Sequence, residues 1–153
     1  MEAPDMNPEK TPQDLAEACA AAMWNDDSAA RRLDMRLEHI APGQATLSMT
    51  LTEAMTNGHG IAHGGYIFTL ADTAFAYACN SYDAVTVAQH CAVTYLAPGH
   101  VGDRLTAAAR ELSRSGRSGL YDVRVTNQDG TAIAEFRGNS RTIRGHLLPR
   151  TDA

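Results

Sequence analysis

His63-Gly64-Gly65-Tyr66-Ile67-Phe68-Thr69-Leu70-Ala71-Asp72-Thr73-Ala74-Phe75-Ala76-Tyr77-Ala78-Cys79-Asn80-Ser81 is the stretch on which the fold turns. Residues 66–81 hold no Gly and no Pro and are rich in Ala, which predicts a helix. On a helical wheel Tyr66, Ile67, Leu70, Ala71, Ala74, Phe75, Tyr77 and Ala78 cover well over half the circumference, leaving a narrow polar strip of Thr69, Thr73 and Asn80. A helix apolar around that much of its surface belongs inside a protein. The segment before it, 53–65, is rich in glycine: Gly58, Gly60, Gly64 and Gly65.

Working outward, the period changes on both sides. Upstream, Ala45, Leu47, Met49 and Leu51 alternate with Thr46, Ser48, Thr50 and Thr52, the pattern of a half-buried strand. Ala41-Pro42-Gly43 is the turn before it, so 34–40 is its predicted hairpin partner. Further upstream, Thr11-Pro12-Gln13-Asp14 reads as a helix start, with Thr11 as N-cap and Pro12 in the first turn, and the helix stops near Asn25-Asp26-Asp27. Downstream, 85–95, 105–112, 119–126 and 131–142 read as strands, the last two joined by the hairpin turn Asn127-Gln128-Asp129-Gly130. The order is helix, two strands, one buried helix, four strands: an α+β fold with one helix wrapped by an antiparallel sheet. One sheet cannot cover a helix apolar on most sides, so part of the helix or the sheet edge is expected to meet a second subunit.

The chain of 153 residues suits one domain, read as a loose N-terminus 1–11, a domain 12–144 and a tail 145–153. Its 44% hydrophobic and 20% charged residues are a globular mixture. A net charge of −5 argues against a general nucleic-acid partner, and no apolar run reaches the 18 or more residues of a membrane span. The N-terminus lacks the basic and apolar regions of a secretory signal. Cys19, Cys79 and Cys91 are far apart and odd in number, so buried reduced thiols and a cytoplasmic setting are expected.

Few residues can carry chemistry. The first amides of a helix have no internal partner and carry partial positive charge, so the N–H of Gly64 or Gly65 is a candidate donor to a carbonyl oxygen. Gly58 and Gly60 are read simply as turn formers. Asp72 lies two turns into the helix, where aspartate has poor propensity. Its helical neighbours are Phe68, Phe75 and Ala76, and no Lys or Arg occurs between Arg36 and Arg104. Desolvation there would raise its pKa, which suits a general base. Composition alone favours the plainer alternative, a carboxylate at a helix edge facing water. His59 and His63 have the spacing of a metal pair, but glycines break the helix they would need and no third ligand presents itself, so no metal is expected. His63 is instead expected to orient the turn through a hydrogen bond. Nine of the thirteen basic residues lie between Arg104 and Arg150, and Arg114-Ser115-Gly116-Arg117-Ser118-Gly119 joins two strands, a cluster suited to an anionic ligand. No Gly-x-Ser-x-Gly elbow, P-loop or dinucleotide fingerprint occurs.

The run His63–Ser81 closely resembles the hotdog-fold thioesterases of the phenylacetic-acid degradation type, the PaaI group, and the likeness extends from about residue 15 to residue 144. The resemblance implies a helix wrapped in a curved antiparallel sheet, a homodimer that completes the site and a homotetramer beyond it. It implies hydrolysis of acyl-CoA thioesters, with phenylacetyl-CoA or its hydroxylated forms as the expected substrates. Coenzyme A then enters as part of the substrate, and no separate cofactor is implied. Carried over by position, Gly64 supplies the amide that polarises the thioester carbonyl. Asp72 activates water or attacks directly, and Asn57 positions the water. Acid and amide come from opposite subunits. By the same resemblance Arg114, Gly116, Arg117 and Ser118 lie where the family holds the nucleotide or pantetheine end; His63 and Gly65 are further candidates to bind substrate, and Phe68 and Phe75 are the nearby aromatics that an apolar, phenyl-sized pocket would need. Where some relatives carry a hydroxyl to help hold water, this chain has Ala76 and Ala88. Two rivals are a hotdog hydratase or dehydratase, which would use a His paired with an acid, and a non-catalytic acyl-CoA binding subunit.

Overall fold

The computed structural model describes residues 10–150. Helix α1 spans Pro12–Asp26 and opens on a reciprocal cap. Thr11 Oγ1 accepts from the Asp14 N–H at 3.1 Å, and the Asp14 carboxylate accepts from the Thr11 N–H at 3.1 Å. Asp27 ends α1, and its carboxylate accepts from the Ala30 N–H at 3.1 Å to start a second helix, α2, Ser28–Arg32. Five residues are too few to show periodicity, so α2 was not expected from the sequence.

A hairpin follows: β1, Arg36–Ala41, and β2, Gln44–Thr50, turn at Gly43, whose φ of +70° favours glycine. After a 3-10 turn at Glu53–Met55 come α3, Gly64–Cys79, and four strands: β3, Thr86–Tyr95; β4, Arg104–Ser115; β5, Ser118–Thr126; β6, Ala132–Thr142. All pair antiparallel in one sheet of order β1-β2-β4-β5-β6-β3. The α+β architecture read from the sequence, six strands around one long helix, is the one observed.

Helix α3 lies against one face of the sheet. Leu70, Ala71, Ala74 and Phe75 pack with Leu47, Leu105, Val123 and Phe136 into a continuous core. Phe75 is 1% exposed, its ring centroid 5.5 Å from that of Tyr121 and 5.8 Å from that of Phe136. It fits only because β6 offers Gly138 there: a Cβ at that position would sit 2.8 Å from the ring. One detail differs from the sequence reading. The helix begins at Gly64, two residues early, because His63 caps it and the first turn tolerates glycine better than the interior does. The narrow polar strip is also seen to be buried at the end that holds Asn80. Asn80 is 5% exposed, donating to the Thr86 carbonyl at 2.9 Å and accepting from the Thr86 N–H at 2.9 Å, and so ties the helix end to β3.

Of the segments expected to be loose, 1–9 and 151–153 lie outside the described residues. Residues 145–150 are held down: the N–H groups of Leu147 and Leu148 donate to the Asp83 carboxylate at 3.0 and 2.9 Å. Strand β3 is the feature that matters most for the site. It is an edge strand of ten residues that presents Val87 (43% exposed) and Tyr95 (49% exposed).

Candidate active site

The site is built around the two ends of one stretch of α3. At its start, His63 has extended backbone, and its Nδ1 accepts from the Gly65 N–H at 2.9 Å. An accepting Nδ1 carries no proton, so the imidazole proton sits on Nε2. The role expected of His63, orienting the turn, is the one seen. The carbonyl of Gly64 accepts from the Tyr95 hydroxyl at 2.8 Å. The peptide unit between Gly64 and Gly65 is therefore gripped at both ends, by Tyr95 on its oxygen and by His63 on its nitrogen. The N–H of Gly64 itself meets no acceptor among the described residues. Of the two amides that the sequence offered as donors, Gly65 is spent on His63 and Gly64 is free.

Asp72 lies eight residues further along α3 and is half-buried. Among the described residues its one side-chain hydrogen bond comes from the thiol of Cys91 on β3, with Sγ 3.9 Å from Oδ1. Burial raises the Asp72 pKa above the ordinary aspartate value, and the Cys91 donor partly offsets that rise. The same proximity works in reverse on the thiol: burial first, then the Asp72 charge, push the Cys91 pKa up. Cys91 is therefore a neutral donor to the carboxylate rather than an activated nucleophile.

Gly64 and Asp72 are separated along the helix axis by about 12 Å, at 1.5 Å per residue. One thioester carbonyl group cannot touch both groups of one chain. Asn57 sits in the loop before α3, where its Oδ1 accepts from the His59 N–H at 2.9 Å. Its Nδ2 has no partner among the described residues.

The remaining predicted residues fall into different surroundings. Phe68 is half-buried with its ring edge on Phe136, 5.4 Å between centroids, while Phe75 is core on every side. In the hairpin between β4 and β5, Gly116 makes the turn with φ +58°, and Arg117 and Ser118 are exposed. The Arg114 guanidinium stacks 3.5 Å above the Tyr82 ring and reaches Glu111 at 3.6 Å, so it is partly engaged within the chain. A separate cavity of about 830 Å³ opens between α2, β2 and the first turn of α3, lined by Trp24, Arg31, Met49, Met55 and Tyr66 among others. Neither Asp72 nor Gly64 lines it. Among the described residues no cluster of three or more His, Cys, Asp or Glu is placed to hold a metal ion, and no helix is long and apolar enough to cross a membrane.

Sequence reasoning missed Cys91 and Tyr95. Both side chains reach α3 because of a bulge in β3 between Ala88 and His90. The register sets Ala88 opposite Ser140, then Cys91 opposite Gly138 and Tyr95 opposite Ala134, all on the face toward the helix. The register also sets Arg141 beside Ser118, which adds a cation to the hairpin that the sequence pattern did not single out.

Comparison with known proteins bears on the family and the fold. Residues 59–134 match the family model of the Thioesterase superfamily. The chain is 44% identical over 128 residues to the acyl-coenzyme A thioesterase PaaI of Escherichia coli, covering 84% of this chain and 91% of that protein. The structure of the E. coli PaaI protein from the phenylacetic acid degradation operon superposes with a TM-score of 0.87 at 41% identity, covering 89% of this chain and 99% of that one. A Streptococcus mutans protein solved with acetyl CoA bound superposes with a TM-score of 0.71 at 26% identity, covering 73% and 90%. With the helix, the sheet order and the extent of identity all in agreement, this chain belongs to the Thioesterase superfamily, alongside the PaaI proteins.

Proposed function

We propose that the protein hydrolyses acyl-CoA thioesters of the arylacetyl class, phenylacetyl-CoA or its hydroxylated forms, at a site shared by two copies of the chain. The observation that carries the proposal is the pairing on one helix of an unpartnered N-terminal amide, Gly64, with a half-buried carboxylate, Asp72. They lie too far apart to serve one carbonyl within a chain. A second copy docked along the bare edge of β3 brings the amide of one chain to the acid of the other, and covers an edge that would otherwise be a sticky template. Further assembly into a tetramer belongs to the same reading, as does action in the cytoplasm, where three free thiols stay reduced.

The chemistry follows from the two groups. The thioester carbonyl oxygen accepts from the Gly64 N–H at the positive end of α3. The Asp72 carboxylate takes a proton from water, and the water oxygen bonds to the carbonyl carbon. Negative charge builds on the carbonyl oxygen, where the amide holds it. The intermediate collapses, the carbon–sulfur bond breaks, and the proton on Asp72 passes to the departing coenzyme A sulfur. Its raised pKa makes Asp72 a better base for the first step and keeps the carboxylic acid available for the last. The free Nδ2 of Asn57 can steady the water. Arg117 and Arg141, which the register sets beside Ser118, are the cations of this hairpin suited to the phosphates of coenzyme A, with Arg114 on the other face of the sheet against Tyr82.

Thiol release from phenylacetyl-CoA tests the proposal. The wild type should release thiol, and Asp72→Asn should lower kcat by about 10²–10⁴-fold, the usual contribution of a positioned acid–base group. Full activity in Asp72→Asn removes that residue from the chemistry. A wild type that hydrates an enoyl-CoA, or only binds acyl-CoA, without releasing thiol overturns the reading.

A further inference from the structure

We infer that Tyr95 is a positioning residue for the Gly64 amide, an inference that rests on the role of that amide proposed above. Three observations converge on it. The Tyr95 hydroxyl donates to the Gly64 carbonyl at 2.8 Å. Its ring occupies the space where a Gly64 side chain would be: a Cβ built there sits 2.7 Å from Cζ, 2.8 Å from the hydroxyl oxygen and 3.1 Å from Cε1. The ring thus packs flush on the backbone of the helix start, an approach only glycine permits. Finally, Tyr95 is the last residue of β3 and is 49% exposed, so little of its side chain is accounted for by core packing.

The strand end that carries Tyr95 is itself anchored. Leu96 and Ala97 donate from their N–H groups to the Ile133 carbonyl, at 2.8 and 3.3 Å, and Tyr95 pairs with Ala134 in the register. The loop on the other side of Gly64 is tied at its base, where the N–H groups of Asn57, Ala62 and His63 donate to the carbonyls of Ile61, Gly99 and Met55, each at 2.8 Å, and open at its tip. Gly58, His59 and Gly60 are exposed, and a Cβ at Gly58 or Gly60 would touch nothing within 4 Å. Tyr95 therefore adds a tie from the end of β3 to the carbonyl side of Gly64, where the loop's own backbone hydrogen bonds do not reach. His63 grips the nitrogen of the same peptide unit. Between them they fix the plane of the Gly64–Gly65 peptide; the preceding peptide, which carries the Gly64 N–H, is held at its own oxygen by the Tyr66 N–H at 3.0 Å, and Tyr95 restrains the rotation at Gly64 that remains between the two planes. A donor that must meet developing negative charge is useful only if it is aimed before the reaction begins. The contacts of Tyr95 at the site are with the carbonyl and Cα of Gly64, and the role assigned to it is exerted through that residue.

The test is a double-mutant cycle read in kcat and KM with phenylacetyl-CoA. Tyr95→Phe keeps the ring against Gly64 and removes only the hydroxyl. It should lower kcat by about fivefold, the size of one neutral hydrogen bond, with KM nearly unchanged. In a Gly64→Pro background, where no amide remains to be aimed, the same change should leave kcat where it was. A purely structural tyrosine would lower both backgrounds alike. Amide exchange adds a direct view: in Tyr95→Phe, exchange should quicken at Gly64 and Gly65 while core amides of β5 keep their protection. Unchanged kcat in Tyr95→Phe, or an equal fall in both backgrounds, overturns the inference while leaving the thioesterase reading intact. A wild type inactive on thioesters fails the underlying reading instead, and is recognised before any variant is made.

Discussion

Replacing Gly64 by proline removes one N–H from a backbone that otherwise suits proline, and adds a side chain whose effect a second variant can subtract. Gly64 is the first residue of α3, the helical position where proline's missing N–H costs no hydrogen bond. The residue before it, His63, has φ −65° and ψ 129°, the extended conformation that a following proline requires. One steric conflict remains, since the new Cβ meets the Tyr95 ring at 2.7 Å. Gly64→Ala carries the same Cβ but keeps the amide, and so serves as the matched control. Overpacking of this kind costs about 1–3 kcal/mol in either variant. Loss of the amide adds a penalty only in proline, about 2.7–4 kcal/mol for a donor to a developing oxyanion, or roughly 10²–10³ in kcat. The two variants should therefore show similar melting temperatures, both below that of the wild type, while kcat for thiol release is about 10²–10³-fold lower in proline than in alanine. Equal kcat values in the two variants would refute the assignment of the Gly64 amide.

Two further outcomes follow from Asp72 and its neighbour. Cys91→Ala removes the one donor that lowers the Asp72 pKa, so the acidic limb of the kcat/KM profile should move to higher pH, with the plateau activity retained; a profile that superposes on the wild type would contradict the contact. The folded-state pKa of Asp72 lies above its unfolded value, so the folded protein binds the extra proton, and stability is lost as pH rises from the unfolded to the folded pKa. Asp72→Asn should accordingly raise the melting temperature at pH 7, and the gain should vanish in acid below the unfolded pKa; a variant less stable at pH 7 would show that burial is not the controlling influence.

The fold was legible in the sequence because its elements obey simple periods. The alternation of Ala45, Leu47, Met49 and Leu51 located β2, and the nearly all-round apolar surface of α3 showed that the sheet must wrap it. The Thr11 cap was visible as a residue pattern and is present as two hydrogen bonds. Asp72 was legible as an acid without a cation on its own helix. What the sequence hid depends on register. Counting in twos from Thr86 would aim His90 at the helix, but the bulge after Ala88 shifts the parity and aims Cys91 and Tyr95 there instead. Nor could the choice between the Gly64 and Gly65 amides be made from sequence, because it turns on which of them the His63 ring reaches. Phe75 misleads for a related reason. An aromatic residue close to an acid on a helix suggests a ligand pocket, yet Gly138 lies across the sheet to receive its ring.

The sharing of one site between two chains is the central claim, and mixed dimers test it most directly. A chain carrying Asp72→Asn and a chain carrying Gly64→Pro are each inactive alone. When mixed, half the dimers hold one chain of each kind, and each such dimer has one site with both defects and one with neither. The account predicts recovery of about a quarter of wild-type thiol release in the equilibrated mixture, since one of two sites is intact in one of two dimers. Activity that stays at the level of the separate variants, after mass measurement has shown that chains exchange, would mean that acid and amide belong to the same chain.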